Sequence, residues 1–220
     1  MRRGLREAAI GLGTYGAYLA VRRLVLTPAG RQRARRNALR VAELERALGL
    51  NVERHVQALA VAAPRLVHAL NAGYAVANVM LSVGWLISLY RRGDAGFPRE
   101  RRAVVAACLG ALPVFLLLPT APPRTLDGYV DTIAASGIDI EHPFLLRFYN
   151  PLAAMPSLHV AFAVIAGTGL AGRARSPALQ GAWATYPVAV SLVVVATGNH
   201  FVLDCVGGAA LGGVARGLTR

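Results

Sequence analysis

The chain is predicted to be all-α, a polytopic membrane bundle of about six transmembrane helices. Three observations carry this. Of its 220 residues, 55% are hydrophobic and 16% are charged, where soluble domains carry about 25% charge. Mean hydropathy is +0.46. The charges are gathered into short clusters separated by long uncharged runs. At this length one bundle is expected rather than two. Residues 1–65 are expected to form an N-terminal membrane anchor with a basic interfacial segment, and residues 66–220 the transmembrane core that carries the chemistry.

The first element is predicted at about 5–26, although its uncharged centre runs only from Ala8 to Val21. Arg2, Arg3 and Arg6 before it imitate a signal peptide, but no clear small-residue cleavage site follows, so the segment is read as a retained anchor. The next stretch, 28–58, holds Arg31, Arg33, Arg35, Arg36, Arg40, Arg46 and Arg54. Its apolar Leu39, Val41, Leu44 and Leu48 suit an amphipathic helix lying at the interface. Crossing the hydrocarbon takes about 20 mostly apolar residues. No charge lies from Ala69 to Tyr90, between Arg102 and Arg124, between Arg147 and Arg173, or between Arg175 and Asp204. These runs predict helices at about 66–90, 102–119, 156–172 and 180–198. Trp85 and Tyr90 fit an aromatic belt at one helix end. A last helix, about 200–216, contains His200 and Asp204, so hydropathy underrates it. Gly208 and Gly212, four apart, favour close helix approach.

The net charge is +13, and all 24 basic residues are arginine. These arginines flank apolar segments and accompany no nucleic-acid motif, so nucleic acid is not an expected partner. They follow the positive-inside pattern instead. The loop with Arg91, Arg92, Arg99, Arg101 and Arg102 is expected in the cytoplasm, together with the Arg173/Arg175 turn and the Arg216/Arg220 tail. Residues 119–156 then face outward with Asp127, Asp131, Asp139 and Glu141. This predicts an integral protein, assigned to the plasma membrane, whose site opens on the extracytoplasmic side. The stretch 28–58 conflicts with the rule, because it lies outside if segment 5–26 spans. Cys108 and Cys205 sit within apolar runs, so neither a disulfide nor a reactive thiol is expected.

Three short runs at helix edges carry chemistry: Ala121-Pro122-Pro123-Arg124, Met155-Pro156-Ser157-Leu158-His159, and Gly198-Asn199-His200-Phe201-Val202-Leu203-Asp204. The i, i+4 spacing of His200 and Asp204 predicts one shared helix face. A carboxylate on one imidazole nitrogen fixes the tautomer and frees the other, as a nucleophile or base requires. Ionisable groups inside a membrane segment are functional candidates by default. Pro156 suits a first helical turn, so Ser157 and Leu158 are expected to offer free N–H groups to a phosphate, with His159 beside them. Arg124, after a stiff Pro-Pro pair, can grip phosphate oxygens through two N–H groups. The predicted topology brings all three edges to one leaflet. Tyr74, Asn78 and Asn150 are further candidates for head-group contact, although packing is the commoner role for such residues. His55, His68 and His142 have no partner at useful spacing and are read as interfacial.

These runs resemble the type 2 phosphatidate phosphatase superfamily of lipid phosphatases and phosphotransferases. Pro156-Ser157-Leu158-His159 is similar to its Pro-Ser-Gly-His motif, and His200 through Asp204 to its His-x-x-x-Asp ending. The resemblance spans about 66–216 and implies a six-helix fold, a phosphohistidine intermediate on His200, His159 as general acid and Asp204 orienting His200. It implies a lipid phosphate or phospholipid substrate, and water or a hydroxyl acceptor such as inositol or a lipid. No cofactor is expected, and no carboxylate cluster suits Mg²⁺. Leu158 stands where the phosphatases usually have glycine, and Val193 and Val194 where they have a Ser-Arg pair. These departures resemble the inositol phosphorylceramide synthase branch. They leave Arg124 as the principal phosphate cation and Arg147 as a candidate second. Vanadate haloperoxidases share the pocket by resemblance but are soluble, against the long uncharged runs here.

Overall fold

A computed structural model describes residues 2–72, 78–137 and 139–219. Among them are ten α-helices: α1 (Arg2–Val25), α2 (Pro28–Ala47), α3 (Glu53–Val61), α4 (Pro64–Ala72), α5 (Asn78–Arg91), α6 (Phe97–Leu117), α7 (Thr132–Ala135), α8 (Leu158–Ala171), α9 (Pro177–Ala196) and α10 (Val202–Gly217). No strand occurs among the described residues; one isolated parallel bridge joins Thr120 to Ala153. The all-α expectation holds.

Local chemistry explains the helix starts. Thr27 caps α2 by accepting the Gly30 amide, and Ser176 caps α9 by accepting that of Leu179. Each is followed by a proline at the first helical position, where no N–H is needed. α6 begins earlier than the hydropathy predicts. The charged run 99–102 lies inside its first turns, with Glu100 at the positive helix end.

α8 is the central element and packs against α5, α6, α9 and α10. Its buried residues are mostly small, Ala161, Ala163, Ala166, Gly167 and Gly169, with Val160 and Ile165 beside them. A Cβ at Gly208 would come within 2.3 Å of the Ser157 carbonyl oxygen, and one at Gly212 within 2.6 Å of that of Ala161. The backbones of α8 and α10 therefore touch, as the four-residue glycine spacing predicts.

The bundle has two chemically distinct ends. At one, buried Glu100 accepts from Arg173 at 3.1 Å and from Arg216 at 2.6 Å, and Glu7 pairs with Arg101 at 2.7 Å. The starts of α1 and α6 and the ends of α8 and α10 meet there. At the other lie the described residues of 118–157 and α2, joined by Asn37 donating to the Pro119 carbonyl at 2.7 Å and Ala121 to that of Ala34 at 3.2 Å. α1 connects the two ends. Arg3 lies over the Tyr90 ring near the first, and Arg22 donates to the Tyr149 carbonyl near the second. The arginine-rich stretch therefore lies at the end away from the Glu100 cluster.

Among the described residues, α9 is the one helix both long and apolar enough to cross a membrane; α8 is apolar but has 14 residues, about 21 Å of rise. α6 is uncharged only after its first turns, and the uncharged run before Arg173 includes extended chain ahead of α8. In α2 Val41 turns inward, while Leu39, Leu44 and the C-cap residue Leu48 are exposed. The inward face is Ala34, Asn37, Ala38, Val41 and Glu45, set against Ala121, Leu126, Leu152 and Phe201. Within the expected 66–90 helix, α4 and α5 are described; residues 73–77 between them lie outside the described residues.

Candidate active site

α9 ends in a sequence that stops one helix and starts the next. Thr197 is its C-cap, and Gly198 follows with φ +69°. The Gly198 amide donates to Val195 O and the Asn199 amide to Val194 O, both at 2.9 Å. This is a Schellman stop, which needs a left-handed residue at that position. A side chain there would also strike Gln57 Nε2 at 2.4 Å and Arg124 Cβ at 3.3 Å. His200 comes next, its amide on Val194 O at 3.1 Å. Phe201 is the N-cap of α10. Asp204, three residues on, reaches back to accept the Phe201 amide at 2.9 Å, one half of a capping box.

The same Asp204 oxygen, Oδ2, lies 3.4 Å from His200 Nδ1, with Asp204 wholly buried and His200 nearly so. The expected His–Asp pairing is present, but not as two residues on one helix face. His200 precedes the helix, and the contact forms because the carboxylate folds back over the cap. This engages Nδ1 and leaves Nε2 as the nitrogen for chemistry.

Ser157 caps α8, its Oγ accepting the Val160 amide at 3.4 Å. Leu158 and His159 are then the first two helical residues, and Pro156 lies outside the helix rather than in its first turn. Ser157's own amide is not free: it donates to the Asp204 carbonyl at 3.0 Å. That bond ties the second motif to the third. The imidazole rings of His159 and His200 lie 5.8 Å apart, centre to centre. Two groups that each reach about 3 Å can meet on one phosphate across that gap.

Arg124 joins from the third direction. It lies in the 3₁₀ turn Pro123–Thr125 and is 7% exposed. Its amide donates to the Gly198 carbonyl at 2.8 Å, Nε to Asn199 Oδ1 at 3.0 Å and Nη1 to Asp131 Oδ2 at 3.0 Å. The guanidinium is thus clamped beside the His200 turn. Asn199 and Asp131, its two holders, carry no sequence signal of their own. Gln57, whose amide group pairs with both backbone groups of Val130 at 2.9 Å, equally had none.

The other candidates lie differently. Asn78 is buried and donates to the His159 carbonyl at 2.9 Å while accepting from Tyr186 OH at 2.7 Å, a strut joining α5, α8 and α9. Buried Asn150 shapes its turn, accepting the Leu152 amide at 3.0 Å and donating its own amide to Tyr18 OH at 2.6 Å. Arg147 is exposed on the 3₁₀ turn Leu145–Arg147, with no hydrogen bond or ion pair to the cluster among the described residues. Tyr74 lies outside the described residues. Among those residues, no group of three His, Cys, Asp or Glu side chains is placed to hold a metal ion.

No curated protein and no solved structure gives a significant match to the chain. A family model described as PAP2 superfamily matches residues 39–218, a span that holds all three motifs and every element from the middle of α2 onward. The chain belongs to the PAP2 superfamily.

Proposed function

We propose that this chain is an integral membrane lipid phosphatase or phosphotransferase that works through a phosphohistidine on His200. Superfamily membership points to phosphatase or phosphotransferase chemistry on a phosphate-containing substrate, with water or a hydroxyl as acceptor. The observation that carries the reading is the convergence of half-buried His159, the buried His200–Asp204 pair and buried Arg124 at one end of the bundle.

The substrate phosphate docks between Arg124 and the start of α8, where the amides of Leu158 and His159 precede the intrahelical ladder. Neutral His200 attacks phosphorus through Nε2. The N–P bond forms as the bond to the leaving oxygen breaks, and His159 gives that oxygen a proton. In the second half His159 takes the proton from the acceptor, whose oxygen displaces His200. Arg124 and the helix-start amides stabilise charge on the equatorial oxygens. No step calls for a metal, so chelators are expected to leave turnover intact.

Membrane integration is supported by α9 and by apolar side chains facing outward on several helices, among them Leu12, Ile87, Leu109, Leu116, Leu192 and Val214. On this reading about six helices cross, in the plasma membrane, with the Glu100 end cytoplasmic and the site extracytoplasmic. A second reading, a head-group transferase like the inositol phosphorylceramide synthases, is favoured by Leu158 and by Val193–Val194 in place of a Ser-Arg pair.

The test is incubation of purified protein with lipid phosphates and phosphodiesters, with and without inositol or diacylglycerol, followed by mass analysis of products. Phosphate release gives hydrolysis and a new phosphodiester gives transfer; either must vanish in His200→Ala. Inactivity of the folded protein on every lipid would leave a structural scaffold instead.

A further inference from the structure

The first turn of α10 is held by carboxylates from far away in sequence. The first four amides of a helix have no intrahelical partner. Here three consecutive ones each receive a carboxylate oxygen. Phe201 donates to Asp204 at 2.9 Å, Val202 to Glu53 Oε1 at 3.1 Å and Leu203 to Glu45 Oε1 at 2.7 Å. Glu45 lies on α2 and Glu53 opens α3; each is 1% exposed. Two buried acids in an arginine-rich segment are unusual, because such groups are seldom buried without partners. The cations lining the same cavity of about 70 Å³, Arg46 and Arg54, make no ion pair with either acid among the described residues. Arg54 instead lies over the Tyr129 ring at 5.1 Å and donates to the Asp127 carbonyl. What the two acids do hold is the pair of amides next to His200 and its cap.

We infer that Glu45 and Glu53 are positioning residues for the nucleophilic turn: the basic N-terminal segment supplies the clamp that aims His200 and Asp204. The inference rests on the proposed role of His200. The 3.4 Å contact between His200 Nδ1 and Asp204 depends on how residues 201–204 are oriented, and both acids grip that stretch. The family-model match, over residues 39–218, includes both acids. Glu45 also holds its proton more tightly than a free carboxyl. Burial, with Glu53 alongside, pushes the Glu45 carboxyl up to about 8. The groups facing it are Glu53 and Arg54 on α3, Arg46 on α2, Tyr129 in the loop after α6, and Asp204 and Cys205 on α10. Losing the Glu45 proton adds a charge beside Glu53 and Asp204 and loosens the clamp.

The experiment compares Glu45→Ala, Glu53→Ala, Glu45→Gln, Glu53→Gln and His200→Ala in the full chain, measuring kcat, KM and the pH profile on the best lipid substrate. The alanine variants are expected to lose about 10- to 100-fold in kcat with KM little changed, the cost of a misaimed reacting group. The glutamines keep an acceptor oxygen and are expected to recover most of that loss. Wild-type activity is expected to fall above about pH 8, and Glu45→Gln, with no proton to lose, to extend activity further into alkali. If the alanine variants fail to fold, the glutamine variants and their pH limb decide. Wild-type kcat in the alanine variants, or an unmoved alkaline limb in Glu45→Gln, overturns the inference. If His200→Ala is inactive in those cases, the proposed function stands and this inference alone falls. If His200→Ala turns over normally, both fall.

Discussion

At the scale of single residues, the site divides into groups that the sequence marks and groups that only folding reveals. His159, His200, Asp204 and Arg124 are marked because each sits at the edge of an uncharged run, where a polar group is costly without a purpose. Asn199, Glu45 and Glu53 are unmarked because their partners lie tens of residues away, and Asp131, seven residues from Arg124, because an acid is an ordinary residue in a loop. As general acid, His159 is expected to contribute about 10²- to 10⁴-fold. His159→Ala should lose that much on a natural lipid and far less on an aryl phosphate, whose leaving group needs no proton; equal losses on both would remove the acid role. Arg124→Lys should not restore what Arg124→Ala loses. The guanidinium uses separate N–H groups for Asn199 and Asp131, and a lysine cannot reproduce that fork. Steady-state kinetics of the two variants, with the lysine no better than within about tenfold of the alanine, would bear this out.

At the scale of elements, helix identity was legible and helix ends were not. Hydropathy finds apolar runs, but caps decide where a helix begins. Ser157 rather than Pro156 starts α8, and Phe201 with Asp204 starts α10 beyond His200. Close approach by α10 was legible because glycines four apart are a packing signal in themselves; that α8 is the partner comes from the fold. Gly208→Ala should therefore cost about 1–3 kcal/mol, read as a lowered unfolding midpoint in detergent, since its Cβ would meet the Ser157 carbonyl at 2.3 Å. Gly213→Ala on the same helix meets nothing within 4 Å and should be neutral or mildly stabilising. The clamp on α10 also has a stability signature. The Glu45 carboxyl is raised from 4.5 to about 8, so between those values the folded chain keeps a proton that the unfolded chain releases. Its contribution is full below pH 4.5, declines as pH rises and is gone above about pH 8. Glu45→Gln should flatten that part of the wild-type curve of unfolding midpoint against pH.

At the scale of the whole molecule, the distribution of charge foretold which ends meet. Arg173 and Arg216 meet on Glu100, and Arg101 on Glu7, at one end, and the three motifs gather at the other. The arginine-rich stretch 28–58 offended the simple charge rule because its role is not read from charge. Its inward face packs on the site, through Ala34, Ala38 and Val41 and through two buried acids. In a background without Cys108 and Cys205, Arg91→Cys and Arg147→Cys occupy exposed positions at the two ends. They should react with a membrane-impermeant thiol reagent from opposite sides of sealed vesicles; labelling of both from one side would dismiss the proposed topology. The central claim, phosphoryl transfer through His200, is tested most directly by quenching turnover of a phosphorus-labelled lipid and mapping the label. The label should sit on His200, survive in His159→Ala given a good leaving group, and be absent from His200→Ala. A labelled residue other than His200, or wild-type turnover in His200→Ala, would contradict it.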